Sequence, residues 1–154
     1  MRTSDIIRDA AYRLSLSQLY LAYHAKSVTE DILATIDMDS FFALRKNARE
    51  RSNTLNMLKY FNIKGYLSLH VKRALYLGIP NMRNPSVLDI GTGFGYFPYA
   101  CEFLDAEVHA LDITGHVLFD EMTNFFNIKK THFRINALQP LPDFGKKFDV
   151  ITSF

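Results

Sequence analysis

The apolar positions of this chain change their period just past the middle. Up to about residue 80 they recur every three or four residues, the spacing of one helix face. Ser4 stands where it can cap a first helix, with Ile7, Ala11, Leu14 and Leu21 along one side. A short second helix is expected over Thr29–Ile36. Asp39 or Ser40 can cap a third, whose stripe is Phe41, Leu44, Ala48, Leu55 and Leu58. A fourth carries Leu67, Val71, Ala74 and Leu75. Gly78 suits the left-handed residue after a helix end, and Pro80 and Pro85 keep the helix from resuming.

After Pro85 short apolar runs alternate with helical stretches. "SVLDI" reads as a buried strand and "YFPYACEFLD" as a helix, with Pro98 confined to its first turn. "AEVHALDI" is a second strand. "GHVLFDEMTNFFNI" is a helix with Val117, Met122, Phe125 and Phe126 facing inward. "THFRINAL" is a third strand, ending at Asn136, and "KFDVITSF" opens a fourth. Strands alternating with helices imply right-handed crossovers and an α/β fold. The expectation is a doubly wound parallel sheet, preceded by a helical segment. The division falls at "IPNMRNP", giving a helical extension over 1–82 and an α/β domain over 83–154.

Composition adds limits. About half of the 154 residues are apolar, enough for a core, and the formal charge is only +2. That charge indicates neither a dedicated nucleic-acid binder nor a trap for acidic substrates. Cys101, the single cysteine, cannot form an internal disulfide, and a reducing, cytoplasmic setting is expected. The first residues lack the unbroken apolar core of a signal peptide, and no run approaches a membrane span.

The informative stretch is "LDIGTGFG". In open α/β sheets ligands bind beyond the carboxyl ends of the strands. Asp89 ends the first strand there, and Gly91, Gly93 and Gly95 form the turn after it. Gly91 and Gly93 let a backbone come close to a ligand, and Gly95 allows the next helix to pack closely on the strand. The helix start adds unpaired N–H groups. A dinucleotide pyrophosphate site needs a small residue at the sixth position of G-x-G-x-x-G. Counted from Gly91 that position is Tyr96, and counted from Gly93 it is Pro98. A carboxylate at Asp89 would also repel a pyrophosphate, while it favours an ammonium group.

The pattern Asp-x-Gly-x-Gly-x-Gly resembles the first motif of class I S-adenosylmethionine-dependent methyltransferases. The resemblance spans Ser86 to Phe154 and implies roles for further residues. Asp112, with Ile113 after it, stands where the family's acidic residue accepts both ribose hydroxyls. As a strand-end residue it is expected to matter little to fold stability; its bland alternative is a cap on the following helix. Asn136 stands at the adenine position, where the family usually has Asp, and Ala137 leaves room for the base. Thr92 lies within the cofactor turn. Asp149 is expected to be structural, and Thr152 to Phe154 to face the methyl-transfer site.

The resemblance thus implies S-adenosylmethionine as cofactor and an unspecified methyl acceptor, with no general base or metal ligand to name. The family sheet has seven strands in the order 3-2-1-4-5-7-6, and four are legible here, so the resemblance implies a partial doubly wound parallel sheet of about four strands in the order 3-2-1-4 and an incomplete cofactor-binding domain over 83–154. A cofactor half with little acceptor pocket is expected, inactive in isolation and prone to self-association through the open edge of the fourth strand. The alternatives are a non-catalytic cofactor-binding or interaction module and, against Tyr96 and Asp89, a nicotinamide-dependent oxidoreductase.

Other residues carry plainer readings. His109 is expected to be packed rather than catalytic, and Cys101 to be core. His24, His70, His116 and His132 show no metal-ligand spacing. "RKNARER" over Arg45–Arg51 reads as a solvated face. Lys59, Tyr60 and Tyr66 are expected to pack; the resemblance alternatively implies that they cover the cofactor.

Overall fold

The computed structural model describes residues 3–113 and 115–154, with side chains described from residue 17 onward apart from 52–55. The first helix, α1, is one piece from Thr3 to Thr35 rather than two. No glycine or proline interrupts this stretch, and Ala25, Val28 and Ile32 continue its buried stripe across the expected break. The Thr29 hydroxyl donates back to the Ala25 carbonyl at 2.5 Å, so its polar group is satisfied inside the helix. The expected cap at Ser4 and the inward positions Ile7, Ala11 and Leu14 lie outside the described side chains, as does Leu55.

Helix α2 runs from Met38 to Glu50. Its cap is Asp37, not Asp39 or Ser40: Asp37 Oδ1 accepts from the Ser40 N–H at 3.1 Å, and Oδ2 from the Ser40 hydroxyl at 2.6 Å. The helix stops at Arg51, whose backbone is extended, and Ser52–Phe61 continues as a 3-10 segment. The weak helix formers Ser52, Asn53 and Thr54 account for the stop. Leu58 therefore packs from the 3-10 segment and not from α2. Helix α3, Ile63–Tyr76, buries Leu67, Val71 and Ala74, and Gly78 follows it in the left-handed conformation at φ 74°.

The sheet holds β1 (Ser86–Ile90), β2 (Glu107–Asp112), β3 (Lys130–His132) and β4 (Val150–Ser153), all parallel in the order β3-β2-β1-β4. Helix α4 (Tyr96–Phe103) connects β1 to β2, and α5 (Val117–Phe125) connects β2 to β3. The link from β3 to β4 contains no helix among the described residues. The chain is thus of the α/β class, with an N-terminal helical segment ahead of a four-stranded parallel sheet whose crossovers are α4 and α5.

Strand β3 is shorter than the expected run to Asn136. Its only neighbour among the described residues, β2, ends at Asp112, which pairs with His132, and the Phe133 N–H bonds to the Asp112 carbonyl at 2.8 Å. Beyond that point the backbone has no ladder to join. Asp149 anchors the far side of the sheet, its Oδ2 accepting from the Ser86 N–H at 2.8 Å.

One hydrophobic cluster crosses from the helices into the sheet. Phe41, Phe61 and Leu67 pack with Phe94, Tyr96, Ala110, Leu118 and Met122. Val117, expected inward, is exposed, because the inward face of α5 is set by Leu118 and Met122. Arg51, expected on a solvated face, reaches instead to Glu121 on α5 with two hydrogen bonds of 3.0 and 2.6 Å. Its paired N–H groups match the carboxylate fork.

Candidate functional site

Reversal of strand order after β1 opens a crevice between the carboxyl ends of β1 and β4. A cavity of about 350 Å³ lies there. Its floor is the turn after β1, contributed by Asp89, Gly91, Thr92 and Gly93. Asp112 at the end of β2 forms one side, and Phe119 of α5 lies beside it. The opposite wall comes from the helical segment: Tyr60, Tyr66, His70 and Arg73.

The turn is built around glycine for conformational reasons. Gly91 and Gly93 have φ of 78° and 54°, the left-handed region that other residues enter at a cost. A Cβ at Gly91 would meet nothing within 4 Å, and at Gly93 only the Gly91 carbonyl oxygen at 4.0 Å. Both face open space in the cavity. Gly95 differs. Its φ is 80°, and a Cβ there would lie 3.2 Å from Thr123 Cγ2 and 3.5 Å from Ile128 Cγ1. Its close packing is therefore against α5 and the segment after it, not against the strand.

Two carboxylates hold the turn in shape. Asp112 Oδ2 accepts from the Gly93 N–H at 2.6 Å and Oδ1 from the Ile113 N–H at 2.8 Å. A carboxylate has about four acceptor sites, so each oxygen keeps capacity toward the cavity. The expectation that Asp112 matters little to the fold is corrected by these bonds. Its alternative as a helix cap is not realised either, since the N-cap of α5 is His116, with no side-chain cap bond. Asp89 is buried; its Oδ2 accepts from the Thr92 hydroxyl at 2.5 Å and its Oδ1 from the Thr152 hydroxyl at 2.8 Å. The second bond ties β1 to β4 across the crevice. Burial raises the Asp89 pKa, opposed by the two hydroxyls and by Arg73, while the charge of Asp112 adds to the rise.

The far wall is aromatic. Tyr96, the residue too large for a pyrophosphate turn, is buried, and its hydroxyl donates to the Tyr60 carbonyl at 2.6 Å. Tyr66 stacks on it at 5.7 Å with the rings nearly parallel, and Tyr60 lies 5.2 Å from Phe94. Tyr60 and Tyr66 thus both pack and border the cavity, while Lys59 is exposed and borders a separate hollow with Arg45 and Leu58. His70 sits against Tyr96 and Phe97, and burial, with a smaller contribution from Arg73, pushes its pKa down to about 4.

Among the expected site residues, Asp89, Gly91, Thr92, Gly93 and Asp112 share this cavity, and Gly95 supports it from behind. Ile113 is half exposed beside the turn. Asn136 and Ala137 do not line it. Both are exposed beyond β3, and the Asn136 side chain donates to Gln139 Oε1 at 2.8 Å. Thr152 faces Asp89, and Phe154 lines the cavity, its ring 4.9 Å from Phe97. Sequence reasoning missed His70 and Arg73 as cavity residues. The available signal was the stripe Tyr66, His70, Arg73, spaced by four and three beside the core stripe of α3.

The remaining candidates are structural. His109 is buried on the other face of the sheet, where Nε2 lies 2.8 Å from the Thr131 hydroxyl and the ring meets Phe144 at 4.6 Å. Cys101 is buried, and desolvation pushes its thiol pKa well up. Among the described residues no group of three His, Cys, Asp or Glu side chains could hold a metal ion, and no helix is long and apolar enough to cross a membrane. Compared with known proteins, the chain matches no protein-family model, no curated protein and no solved structure.

Proposed function

We propose that the cavity at the β1–β4 crevice binds S-adenosylmethionine and that the chain carries the cofactor site of a class I methyltransferase. The observation that bears most weight is the glycine turn. Its left-handed backbone lines a cavity at the point of strand-order reversal, within reach of a carboxylate on the neighbouring strand.

The residues at the turn and the strand ends fit the amino-acid and ribose portions of such a ligand, while Asn136 and Ala137 lie outside the cavity. The space is at the small end of the range for ligand cavities, about 300–1,000 Å³. Asp112 uses one acceptor site on each oxygen for the turn and retains others for ribose hydroxyls. Asp89 supplies a carboxylate where an ammonium group would lie, and a cation there would oppose the burial that raises its pKa. Tyr96 fills the position that a pyrophosphate would need, which disfavours the nicotinamide alternative.

When bound, S-adenosylmethionine supplies a sulfonium methyl that an acceptor's lone pair takes as the carbon–sulfur electron pair returns to sulfur. The chain's part is alignment and exclusion of water. Tyr60, Phe94 and Phe119 supply apolar walls, and the Asp89–Thr152 bond holds the two sides of the crevice in register. His70 is the one imidazole lining the cavity among the described residues, and with a pKa near 4 it is neutral at physiological pH.

The test is ligand-dependent stabilisation. S-adenosylhomocysteine should raise the unfolding free energy by roughly 2.7 kcal/mol at a hundredfold excess over Kd, and NADH should not. Stabilisation by NADH alone would transfer the cavity to the dinucleotide class.

A further inference from the structure

The basic run on α2 reads in sequence as a solvated face, and the structure gives it a more particular shape. Phe42, Arg45, Lys46 and Arg49 stand at the i, i+3, i+4 and i+7 positions of the helix, so they share one exposed face. The 3-10 segment and the start of α3 bring two further cations beside it, Lys59 and Lys64. Two open hollows lie among these side chains. One, of about 410 Å³, is bounded by Phe42, Arg45, Lys46, Arg49 and Leu58. The other, of about 450 Å³, shares Arg45 and Leu58 with the first and extends to Lys59, Lys64, Phe61 and Ile63.

Five cationic side chains therefore surround the pair of hollows. No carboxylate lies within ion-pair distance of any of them among the described residues. Asp39 and Glu50, the acids of α2, line neither hollow. The second hollow also ends on the first turn of α3, and a helix N-terminus favours negative charge. The formal charge of +2 for the whole chain averages this local excess away.

The floors of the hollows are apolar and recessed. Phe61 and Ile63 are buried and Leu58 is half-buried, while Phe42 stands out from the helix, 52% exposed. A membrane surface takes apolar side chains that protrude into it, and here most of the apolar surface is sunken. An acidic peptide would use the cationic rim and leave the floors empty. A chain of phosphates carrying flat bases uses both, with phosphates on the cations and bases against Phe42 and in the hollows. The strand must be single, because the bases of a duplex are held in its own stack.

We propose that the face formed by α2, the 3-10 segment and the start of α3 binds single-stranded nucleic acid, with Phe42 as its stacking platform. The proposal is independent of the cofactor reading, because no residue of the two hollows borders the cavity at the glycine turn.

The experiment titrates the full chain into a fluorescent oligouridylate of about twelve nucleotides, within the site sizes of single-strand binders, and follows anisotropy over a range of salt concentrations. Contacts from all five cations give log K a slope of about −3.5 against log salt. Arg45→Ala, Arg49→Ala and Lys59→Ala should each flatten that slope by about 0.7. Phe42→Ala should weaken binding by about fivefold to a hundredfold, the effect of losing one stacked base, and leave the slope unchanged. Lys147→Ala, in the link to β4, should alter neither. All of these side chains are exposed, and an unchanged melting temperature shows that each variant is folded. Absence of oligomer binding at low salt would overturn the proposal. So would inorganic polyphosphate bound as tightly as the oligomer with no effect of Phe42→Ala, which would make the face a general anion surface. Equal affinity for an RNA duplex, or a preference for phosphatidylserine vesicles, would overturn it in favour of those partners.

Discussion

Replacing Asp112 with alanine should unsettle the fold as well as the ligand site. The carboxylate accepts from two backbone donors, Gly93 at 2.6 Å and Ile113 at 2.8 Å. A hydrogen bond to a charged group contributes about 1.5–3 kcal/mol, so the gross loss is roughly 3–6 kcal/mol. The Gly93 N–H borders the cavity and can take a water in exchange, which brings the net cost to about 3 kcal/mol. At roughly 2–4 °C per kcal/mol for a chain of this size, the melting temperature should fall by about 6–12 °C. Asp112→Asn should lose nearly as much, because its NH2 turns a donor toward a backbone donor. Thermal unfolding without ligand measures this directly, and a melting temperature unchanged to within about 1 °C would refute the pinning of the turn. Weaker ligand binding by Asp112→Ala would then have two sources, a loosened turn and a lost ribose contact. A 2′-deoxy ligand separates them: losing the hydroxyl should weaken binding to wild type and leave binding to Asp112→Ala unchanged.

Further expectations rest on single contacts. Gly95→Ala should destabilise more than Gly91→Ala in denaturant titrations, since both adopt left-handed φ but only Gly95 would press a Cβ against Thr123 at 3.2 Å. The His70 pKa falls from 6.5 to about 4 on folding, so the folded state binds fewer protons in that window and stability is lost as pH drops through it. His70→Gln should flatten that acid limb. Glu102 has the opposite sign: burial raises its pKa from 4.5 to about 7, so stability is lost as pH rises across that range, and Glu102→Gln should remove the loss. The backbone edge of β4, beside the exposed Ile151, should support self-association, which Ile151→Lys should reduce in light scattering.

Local sequence was enough where the chain punctuates itself. "SVLDI" lies between Pro85 and the glycine turn, and it is strand β1 to the residue. Gly78 and the two prolines after it likewise mark the passage from helices to sheet. It was not enough where a neighbour decides. β3 stops at His132 because β2 stops at Asp112, a fact of pairing that no window around Asn136 contains. At the start of α2, Asp37, Asp39 and Ser40 are all capping types within four positions, and only geometry selects Asp37. The partners of Asp89 and Asp112 were also hidden, because Thr152 and Gly93 reach them only once the strands lie side by side. Arg73 was within reach of the sequence, one turn beyond His70 and two beyond Tyr66, but its charge gains meaning only from the cavity it faces.

The central claim is that the glycine turn and Asp112 hold the nucleoside end of S-adenosylmethionine. Backbone amide resonances of an isotope-labelled chain, followed during titration with S-adenosylhomocysteine, test it most directly. The amides of Gly91, Thr92, Gly93 and Ile113 should shift in a saturable way, while Gly145, far along the chain in the link to β4, stays fixed. Saturable shifts confined to other segments, or none at the turn at concentrations well above millimolar, would contradict it.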